Sequence, residues 1–327
     1  MNRFSYLGFD FFPVCPENQK IVSSFLRKHP QQLCGYTHAT LEAWKAFVSY
    51  DQGLAAPETM LIAYRPVFEN PPILLQPVGI FSPDFQNHIF REAETLDYPL
   101  KIFGVNSGFL ERHPGFVARF SVRDERNYAN YVYRAEDLAK LYGRKYSKKR
   151  NLISQARSQY SWETIPLAED SADKCFAVLE SIKNEENPVM EGMSERELSA
   201  LETTLRNFRR LQQQGLLITV DGRPVAFSIF EAINSTTATV HFERALRSYK
   251  GLYQVINQET ARVIEAQGFE FINREEDVGD EGLRAAKLSY HPCELTTAWE
   301  LTLKETLINS LCGMKRKAHG AQEPRHI

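Results

Sequence analysis

Cysteine is scarce in this sequence and never paired at a short spacing. The five cysteines are an odd number, and no CxxC pair occurs among Cys15, Cys34, Cys175, Cys293 and Cys312. A disulfide framework needs an even set, and a structural zinc site needs closely spaced ligands. The pattern therefore predicts reduced thiols in a cytoplasmic protein, with no disulfide framework and no metal site.

Long apolar runs are also missing. No stretch approaches the roughly 20 consecutive apolar residues that a membrane-spanning helix needs. The first residues, MNRFSYLGFDFFPVCPENQK, lack the basic segment followed by an apolar segment that is typical of a secretory signal peptide. We therefore expect no transmembrane segment and a cytoplasmic location.

Several motifs that identify large enzyme classes are absent. The sequence has no phosphate-binding GxxxxGK[ST] loop, no HExxH zinc motif and no GxSxG nucleophile elbow. The formal charge is -2, with 43% apolar and 24% charged residues. These values are typical of a soluble globular chain, and they exclude a globally basic nucleic-acid binder without excluding a local basic patch.

The order of predicted helices and strands indicates an α/β protein, of the α+β kind, with two domains. A chain of 327 residues is long enough for two domains of about 150 residues, each with its own core. We place the domains at 1–130 and 161–312, a basic helical connection at 131–160, and a disordered polar tail at 313–327. Four elements of the second domain have clear patterns: the hairpin LLITVDGRPVAFSIFEAI, the strand TATVHFERA, the helix LYQVINQETARVIEA and a last strand ELTTAWELTL.

One stretch, from Phe269 to Pro292, combines a strand, a polar cluster and a helix. The apolar segment FEFI predicts a short strand, and a charged run separates it from a helix for which Asp280 is a suitable N-cap. Three residues are spaced i, i+4, i+7 for one face of that helix: Leu283, Lys287 and Tyr290. Polar clusters in this position commonly bind ligands in α/β folds. A solvated loop and a surface helix are the alternative.

The segment FINREEDVGDEGLRAAKLSYHP closely resembles the C-terminal signature of a bacterial family related to the catalytic domain of phosphatidylglycerol lysyltransferase, built on the acyltransferase fold called GNAT. Similar segments upstream are NYANYVYRAEDLAKLYGRKYSKKRN and FERALRSYKGLYQVINQE, so the resemblance extends over residues 127–292. It implies two tandem GNAT-like domains, each with a mixed, mostly antiparallel central sheet flanked by helices. It also implies aminoacyl-tRNA as donor, an active cleft in the second domain, and no tightly bound cofactor.

In GNAT enzymes the turn after the fourth strand carries a Q/R-x-x-G-x-G/A motif, whose backbone N–H groups bind the pyrophosphate of the acyl donor. The candidate donor-binding residues at this position are Ser248, Tyr249, Lys250, Gly251 and Tyr253. Gly251 fits the motif and Lys250 adds a positive charge, whereas Ser248 and Tyr253 depart from it. Because the tyrosine would crowd a pyrophosphate, the departure favours aminoacyl-tRNA over coenzyme A.

A run of basic residues precedes this loop in the sequence and consists of Arg144, Lys145, Lys148, Lys149 and Arg150. It is interleaved with Tyr142 and Tyr146, which are suited to stacking on bases or sugars. The run has no acidic partner at i+4, so its charge is predicted to be available to a polyanion. Arg144, Lys148, Lys149 and Arg150 are therefore candidate phosphate-binding residues. The ligands considered are a tRNA acceptor stem, the diphosphate of coenzyme A or a phospholipid head group, and the alternative is an exposed charged face.

Acyl transfer from an ester requires a base, stabilisation of the oxyanion and a proton donor for the leaving oxygen. Glu243, at the end of a predicted strand, is the candidate base, and Lys287 or Tyr290 is the candidate proton donor. The candidates for binding the aminoacyl group or the acceptor are Asn273, Arg274, Glu275, Glu276 and Asp277. A solvent-facing strand position is the alternative for Glu243.

We predict an acyltransferase that moves an aminoacyl group from aminoacyl-tRNA to an amine or hydroxyl acceptor, such as a lipid or a peptide. The first alternative is an N-acetyltransferase that uses acetyl-coenzyme A. The second is a non-catalytic protein that has this fold and binds RNA or phosphate groups through the basic run. The fold by itself does not distinguish these functions.

Overall fold

The computed structural model describes residues 3–46, 48–56, 58–66, 71–185 and 194–304. The strands are β1 (Phe4–Tyr6), β2 (Phe9–Pro13), β3 (Val48–Ala56), β4 (Thr59–Pro66), β5 (Ile73–Leu75), β6 (Val78–Gly79), β7 (Lys101–Val105), β8 (Phe120–Asp124), β9 (Asn130–Arg134), β10 (Trp162–Pro166), β11 (Gln214–Val220), β12 (Arg223–Ala232), β13 (Thr237–Ala245), β14 (Phe271–Asn273), β15 (Glu294–Thr296) and β16 (Trp299–Leu303). The α-helices are α1 (Gln19–Lys28), α2 (His38–Ala43), α3 (Pro83–Ala93), α4 (Ser107–Arg112), α5 (Pro114–Val117), α6 (Ala135–Lys140), α7 (Ser147–Gln159), α8 (Ala172–Asn184), α9 (Glu195–Arg206), α10 (Leu252–Ala266) and α11 (Glu281–Leu288).

The chain forms two compact units, and each unit is assembled from separate stretches of sequence. The first contains Met1–Pro13, Asp51–Asp124 and Trp299–Ile327, and the second contains Val14–Tyr50 and Glu125–Ala298. The predicted domains were continuous, at 1–130 and 161–312, whereas these units are not. The predicted connection at 131–160 lies within the second unit. The predicted tail at 313–327 lies outside the described residues.

The sheet of the first unit is mixed. Its strand order is β1-β2-β3-β4-β5-β7-β16-β8, with β6 paired to β4. β5 and β7 run parallel, whereas β16 is antiparallel to both β7 and β8. An aromatic core packs on this sheet, with Phe11, Phe81, Phe109, Phe116 and Phe120 among its buried members.

The sheet of the second unit has the order β10-β11-β12-β13-β14-β9-β15. β10 to β13 form an antiparallel meander, and α10 then connects β13 to the parallel strand β14. One buried cluster includes residues of α6, α7 and α10, and a second includes residues of α8 and α9. The predicted fold class is confirmed: both units have a mixed sheet flanked by helices.

Local signals account for the best-predicted part of the second unit. β11 and β12 are joined at Asp221 and Gly222, which have φ angles of 50° and 76°. These left-handed conformations suit a two-residue hairpin turn, and the DG pair predicted one. α10 begins after Gly251 and buries Leu252, Val255 and Ile256 among other apolar residues. In the ranges that the structure describes, every helix falls short of the length and apolar character needed to cross a membrane.

Candidate active site

The candidate site begins where two parallel strands of the second unit separate. β13 and β14 are paired only from Thr237 to Thr239, opposite Phe271 to Asn273, whereas β13 continues to Ala245 paired with β12 alone. Glu243 lies on the part of β13 that extends beyond β14, and Arg274 directly follows β14. The divergence of the strands therefore leaves a gap between them that these two side chains bridge.

Arg274 is at the centre of a cluster of largely buried groups, which we call the Arg274 cluster: Tyr133, Glu243, Asn257, Arg274 and Tyr290. Arg274 Nη2 donates to Glu243 Oε1 at 2.9 Å, and Asn257 Nδ2 donates to Glu243 Oε2 at 3.1 Å. The guanidinium carbon lies 5.0 Å from the ring centroid of Tyr290 and 5.8 Å from that of Tyr133. The structure thus brings together two of the three predicted catalytic residues, Glu243 and Tyr290.

The second amino group of Arg274 is the chemically distinctive atom of the cluster. Arg274 Nη1 is buried and makes no hydrogen bond to any described residue. A buried guanidinium N–H without an acceptor is costly, so such a group usually has a role that the resting fold does not satisfy. Nη1 is therefore suited to bind an oxygen that carries negative charge.

Tyr290 and Lys149 are adjacent at the edge of the cluster. Lys149 Nζ lies 3.9 Å from the ring centroid of Tyr290 and donates to Ser289 Oγ at 2.7 Å. Burial raises the pKa of Tyr290 to about 12, so its phenol is neutral at physiological pH. Burial, with the nearby charge of Arg274, lowers the pKa of Lys149. Tyr290 is therefore kept as an O–H donor, as the predicted role requires.

Lys287, the third predicted catalytic residue, is directed into the loop that follows β14. Its side chain is buried, and Nζ donates to the carbonyl oxygens of Arg274, at 2.6 Å, and of Glu276. Burial lowers the pKa of this ammonium group. In this position Lys287 fixes the backbone that presents Arg274, and its part as a proton donor stays a prediction.

Asp277 is the most heavily hydrogen-bonded residue of the signature. Its carboxylate accepts hydrogen bonds from Arg284 Nε and Nη2 (2.8 Å each), Tyr131 Oη (2.5 Å), Arg126 Nη1 (3.2 Å) and the Gly279 amide (2.9 Å). Burial opposes its ionisation, but these donors keep the pKa of Asp277 well below its usual value. A fully buried carboxylate with these partners organises the loop and is not exposed to a substrate.

Asn273 and Glu276 are also engaged inside the unit. Asn273 Nδ2 donates to Asn130 Oδ1 at 2.8 Å, and its Oδ1 accepts from the Glu275 amide at 2.8 Å. Glu276 Oε2 accepts from Cys34 Sγ at 3.1 Å. Burial and the neighbouring Glu275 raise the pKa of Glu276. Of the five residues predicted to bind the aminoacyl group or the acceptor, Arg274 is thus the one whose side chain contacts Glu243 and Tyr290.

His241, on β13, lies between two carboxylates. Its Nδ1 is 2.7 Å from Glu275 Oε1, and its Nε2 is 2.8 Å from Glu231 Oε1. Burial would lower the pKa of His241, but the two hydrogen-bonded carboxylates raise it to about 10. His241 is therefore an imidazolium that ties the signature loop to β12. No local spacing predicted this contact, because Glu231 and Glu275 are far apart in sequence.

The charged state of His241 predicts a loss of stability in alkali. An unfolded histidine titrates near pH 6.5, so the stabilisation is complete below that pH and is lost as the pH rises through the folded pKa of about 10. We expect the free energy of unfolding to fall by about 3–4 kcal/mol between pH 7 and pH 10 from this group, since each pH unit between the two pKa values contributes about 1.4 kcal/mol. Urea unfolding of the wild type and His241→Asn at both pH values measures the effect. An equal change in the free energy of unfolding between pH 7 and pH 10 in the two proteins would contradict this prediction.

The predicted donor loop already binds a carboxylate of the same unit. Glu185 Oε2 accepts from the Arg247 amide at 3.0 Å, and its Oε1 accepts from the Ser248 amide at 2.9 Å and from Ser248 Oγ at 2.6 Å. Tyr249 packs against Tyr160, with ring centroids 5.1 Å apart. Tyr253 is partly buried against the core. The loop therefore presents anion-binding groups, but an internal anion occupies them.

Gly251 is required for packing as well as for backbone conformation. Its φ is +91°, and a Cβ at this position would collide with the carbonyl oxygen of Leu152 on α7. The absence of a side chain at Gly251 thus allows α7 of the same unit to pack closely against it. This contact explains the glycine without a bound pyrophosphate.

Alanine at position 251 is expected to destabilise the protein by about 2–4 kcal/mol, because it adds left-handed strain to a collision with backbone. Gly222 is the matched control: it has a φ of +76°, and its Cβ would meet open space. Gly222→Ala should cost only about 1 kcal/mol. Denaturant unfolding of both variants measures the difference, and equal losses would refute the packing role of Gly251.

The basic run lies in the short 3-10 turn Arg144–Tyr146 and in the first turn of α7, and it is less free than predicted. Lys145 Nζ pairs with Asp137 at 3.1 Å, and Arg150 Nη1 donates to the carbonyl oxygens of Leu141 and Gly143 at 2.5 and 2.6 Å. Among the described residues, Arg144 and Lys148 are exposed and make no side-chain hydrogen bond or ion pair. Within the same ranges, no group of His, Cys, Asp and Glu is arranged to bind a metal ion.

A family model described as "Phosphatidylglycerol lysyltransferase, C-terminal" matches residues 30–299. This match extends over most of the chain and confirms the resemblance that the signature segment indicated. A search of the curated proteins gives no significant match.

Solved structures with a similar fold include three bacterial proteins. A conserved protein of unknown function from Bacteroides thetaiotaomicron is 29% identical, with a TM-score of 0.82 over 90% of this chain and 99% of that chain. The C-terminal domain of a protein assigned as a lysylphosphatidylglycerol synthetase from Agrobacterium fabrum is 12% identical (TM-score 0.62; 96% and 100% covered). L-PGS from Bacillus licheniformis is 13% identical (TM-score 0.61; 93% and 97% covered). At these identities the last two show a shared fold alone.

Proposed function

Because the chain belongs to the phosphatidylglycerol lysyltransferase C-terminal family, we propose that it is an acyltransferase that moves an aminoacyl group from aminoacyl-tRNA to a hydroxyl or amine acceptor. The observation that carries this proposal is the Arg274 cluster. In this cluster the buried Arg274 has an N–H group without a hydrogen bond, and it lies beside the neutral phenol of Tyr290. The cluster lies where the parallel strands β13 and β14 diverge. The ester of an aminoacyl-tRNA is already activated, so the reaction needs no bound cofactor.

Arg274 is assigned to the tetrahedral intermediate. When the acceptor attacks the ester carbonyl, the carbonyl oxygen becomes an oxyanion, and Arg274 Nη1 supplies a charged donor for it. Arg274 Nη2 remains bound to Glu243, which keeps the guanidinium plane fixed during the reaction. The stabilisation is specific to the transition state because the ground-state ester carries no full charge on that oxygen.

Glu243 is assigned to positioning Arg274, in place of its predicted role as a base. Its two carboxylate oxygens are already bound by Arg274 and Asn257. An acceptor that gave its proton to Glu243 would have to displace one of these two donors. Tyr290 is assigned to the proton transfer: it protonates the leaving ribose oxygen and regains the proton that the acceptor loses.

Two contacts support aminoacyl-tRNA over acetyl-coenzyme A as the donor. The carbonyl oxygen of Leu152 lies against Gly251, and Glu185 occupies the amides of Arg247 and Ser248. A pyrophosphate in the usual GNAT position would have to displace both. The 3′ end of a charged tRNA presents its ester without that pyrophosphate, so it avoids this conflict.

Donor binding tests the proposal. Filter binding of the purified protein compares charged tRNA, uncharged tRNA and acetyl-coenzyme A across a salt series. We expect a preference for charged tRNA and a fall in affinity with salt, since phosphate contacts release counterions. A tight one-to-one complex with acetyl-coenzyme A and no preference for tRNA would instead indicate the N-acetyltransferase. Failure of every donor to bind would indicate the non-catalytic alternative.

A further inference from the structure

Two charged residues of helix α11 are directed into the unit, whereas its leucines and alanines are exposed, together with Glu281 in its first turn. Arg284 and Lys287 are directed inward, to the Asp277 carboxylate and to the loop carbonyls of Arg274 and Glu276. Leu283 and Leu288 are 39% and 43% exposed, and Ala285 and Ala286 are also exposed. The sequence pattern had placed Leu283 on the same face as Lys287, but only Lys287 is buried. A surface helix normally has the opposite arrangement.

Val278 extends this apolar surface beyond the start of α11. It is 61% exposed, and its φ of 44° is left-handed. This conformation is rare and costly for a β-branched residue. The Val278 amide donates to the Asn127 carbonyl at 2.9 Å, so the strained backbone is fixed and its apolar side chain is presented to solvent. We call Val278, Leu283, Ala285, Ala286 and Leu288 the α11 outer face.

Unpaired cations border the C-terminal end of the α11 outer face. Lys149 donates to Ser289 at 2.7 Å, and His291 Nε2 is 3.3 Å from the Lys145 carbonyl, so the start of α7 lies beside the end of α11. Arg144 and Lys148 belong to this segment, and neither has a side-chain hydrogen bond or ion pair within the described part of the chain. Tyr142, in the same segment, is 70% exposed.

We propose that the α11 outer face and its border, Tyr142, Arg144 and Lys148, form a surface that docks on a bilayer containing anionic phospholipid. Apolar side chains beside free cations match the boundary between acyl chains and negatively charged head groups. A tRNA would use the cations but has no use for the exposed leucines or for Val278. The inference deepens the proposed function, because such a surface would bring a lipid acceptor to this unit.

Vesicle co-sedimentation tests this surface without requiring transfer. The purified protein is mixed with phosphatidylcholine vesicles that contain or lack phosphatidylglycerol. We expect binding to the anionic vesicles only, weakened by salt. Leu283→Ser with Leu288→Ser should reduce the affinity about tenfold or more, since both side chains would enter the interface. Arg144→Ala and Lys148→Ala should each reduce it about fivefold.

The matched control is Ile165→Ser, because Ile165 is 36% exposed on β10 and belongs to no part of the proposed surface. It should bind vesicles as the wild type does. Absence of vesicle binding by the wild type, or wild-type binding by the double leucine variant, would overturn the inference. The inference would also be overturned if the double leucine variant lost tRNA binding or self-association but still bound vesicles as the wild type does. Vesicle binding without transfer of any aminoacyl group would support this inference and refute the proposed function.

Discussion

Replacing Asp277 by alanine is expected to destabilise the protein by about 3 kcal/mol. The carboxylate is fully buried and accepts hydrogen bonds from Arg126, Tyr131 and Arg284 and from the Gly279 amide. Removing it leaves two guanidinium groups without their counter-charge and a buried phenol without its acceptor. Because the arginines keep partial access to water, the loss falls at the lower end of the range for a broken buried ion pair.

Denaturant unfolding measures the effect, with Glu281→Ala as the control for loss of an exposed carboxylate nearby. The stability of the variants at acid pH is a second measurement. The pKa of Asp277 is lowered by folding, so its contribution is complete above the unfolded value of about 3.9 and is lost as the pH falls through the lower folded value. The acid sensitivity of the wild type below about pH 4 should therefore be smaller in Asp277→Asn. Equal stability of Asp277→Ala and Glu281→Ala would contradict this account of the loop.

Replacing Arg274 by lysine is expected to reduce aminoacyl transfer about 10²- to 10³-fold. Lysine keeps a positive charge near Glu243 but lacks the planar fork that binds Glu243 with one amino group and offers the other. The loss should appear in kcat more than in KM, because the interaction with the oxyanion forms in the transition state.

Glu243→Gln distinguishes positioning from general-base catalysis. Glutamine can still accept a hydrogen bond from Arg274 and so can still position it, but it cannot take a proton. The proposal predicts a loss of about tenfold or less for Glu243→Gln, with an unchanged pH profile. Loss of the acidic limb of the profile, where protonation of a base lowers the rate, would show that Glu243 is the base. Unfolding curves of Arg274→Lys and Glu243→Gln serve as the control for a general loss of structure.

Sequence patterns located the elements of the second unit that are determined locally. The DG pair predicted the turn of the β11–β12 hairpin, and the apolar periodicity predicted α10. The division of ELTTAWELTL could not be predicted in this way: β15 pairs with β9 in one sheet, whereas β16 pairs with β7 and β8 in the other. An alternating pattern indicates a strand but does not identify its neighbours.

The candidate site was predictable to a similar extent. The signature stretch identified Arg274 as a candidate, and the position at the end of a predicted strand identified Glu243. Their ion pair could not be predicted, because it depends on the divergence of β13 and β14. The partners of the signature carboxylates were missed, because Arg126 and His241 lie far from the signature in sequence. Charge alone suggested that these carboxylates bind a substrate amine, whereas contacts at long sequence separation engage them within the fold.

Transfer of an aminoacyl group by this protein can be measured with labelled donors. tRNA charged with radiolabelled amino acids is incubated with the protein and with pooled lipid, peptide and amine acceptors, and labelled products are separated from free amino acid. The account predicts a labelled product that requires the protein and is nearly absent with Arg274→Lys. It would be contradicted by equal transfer by the wild type and Arg274→Lys, or by a parallel assay in which radiolabelled acetyl-coenzyme A gives a product and charged tRNA gives none.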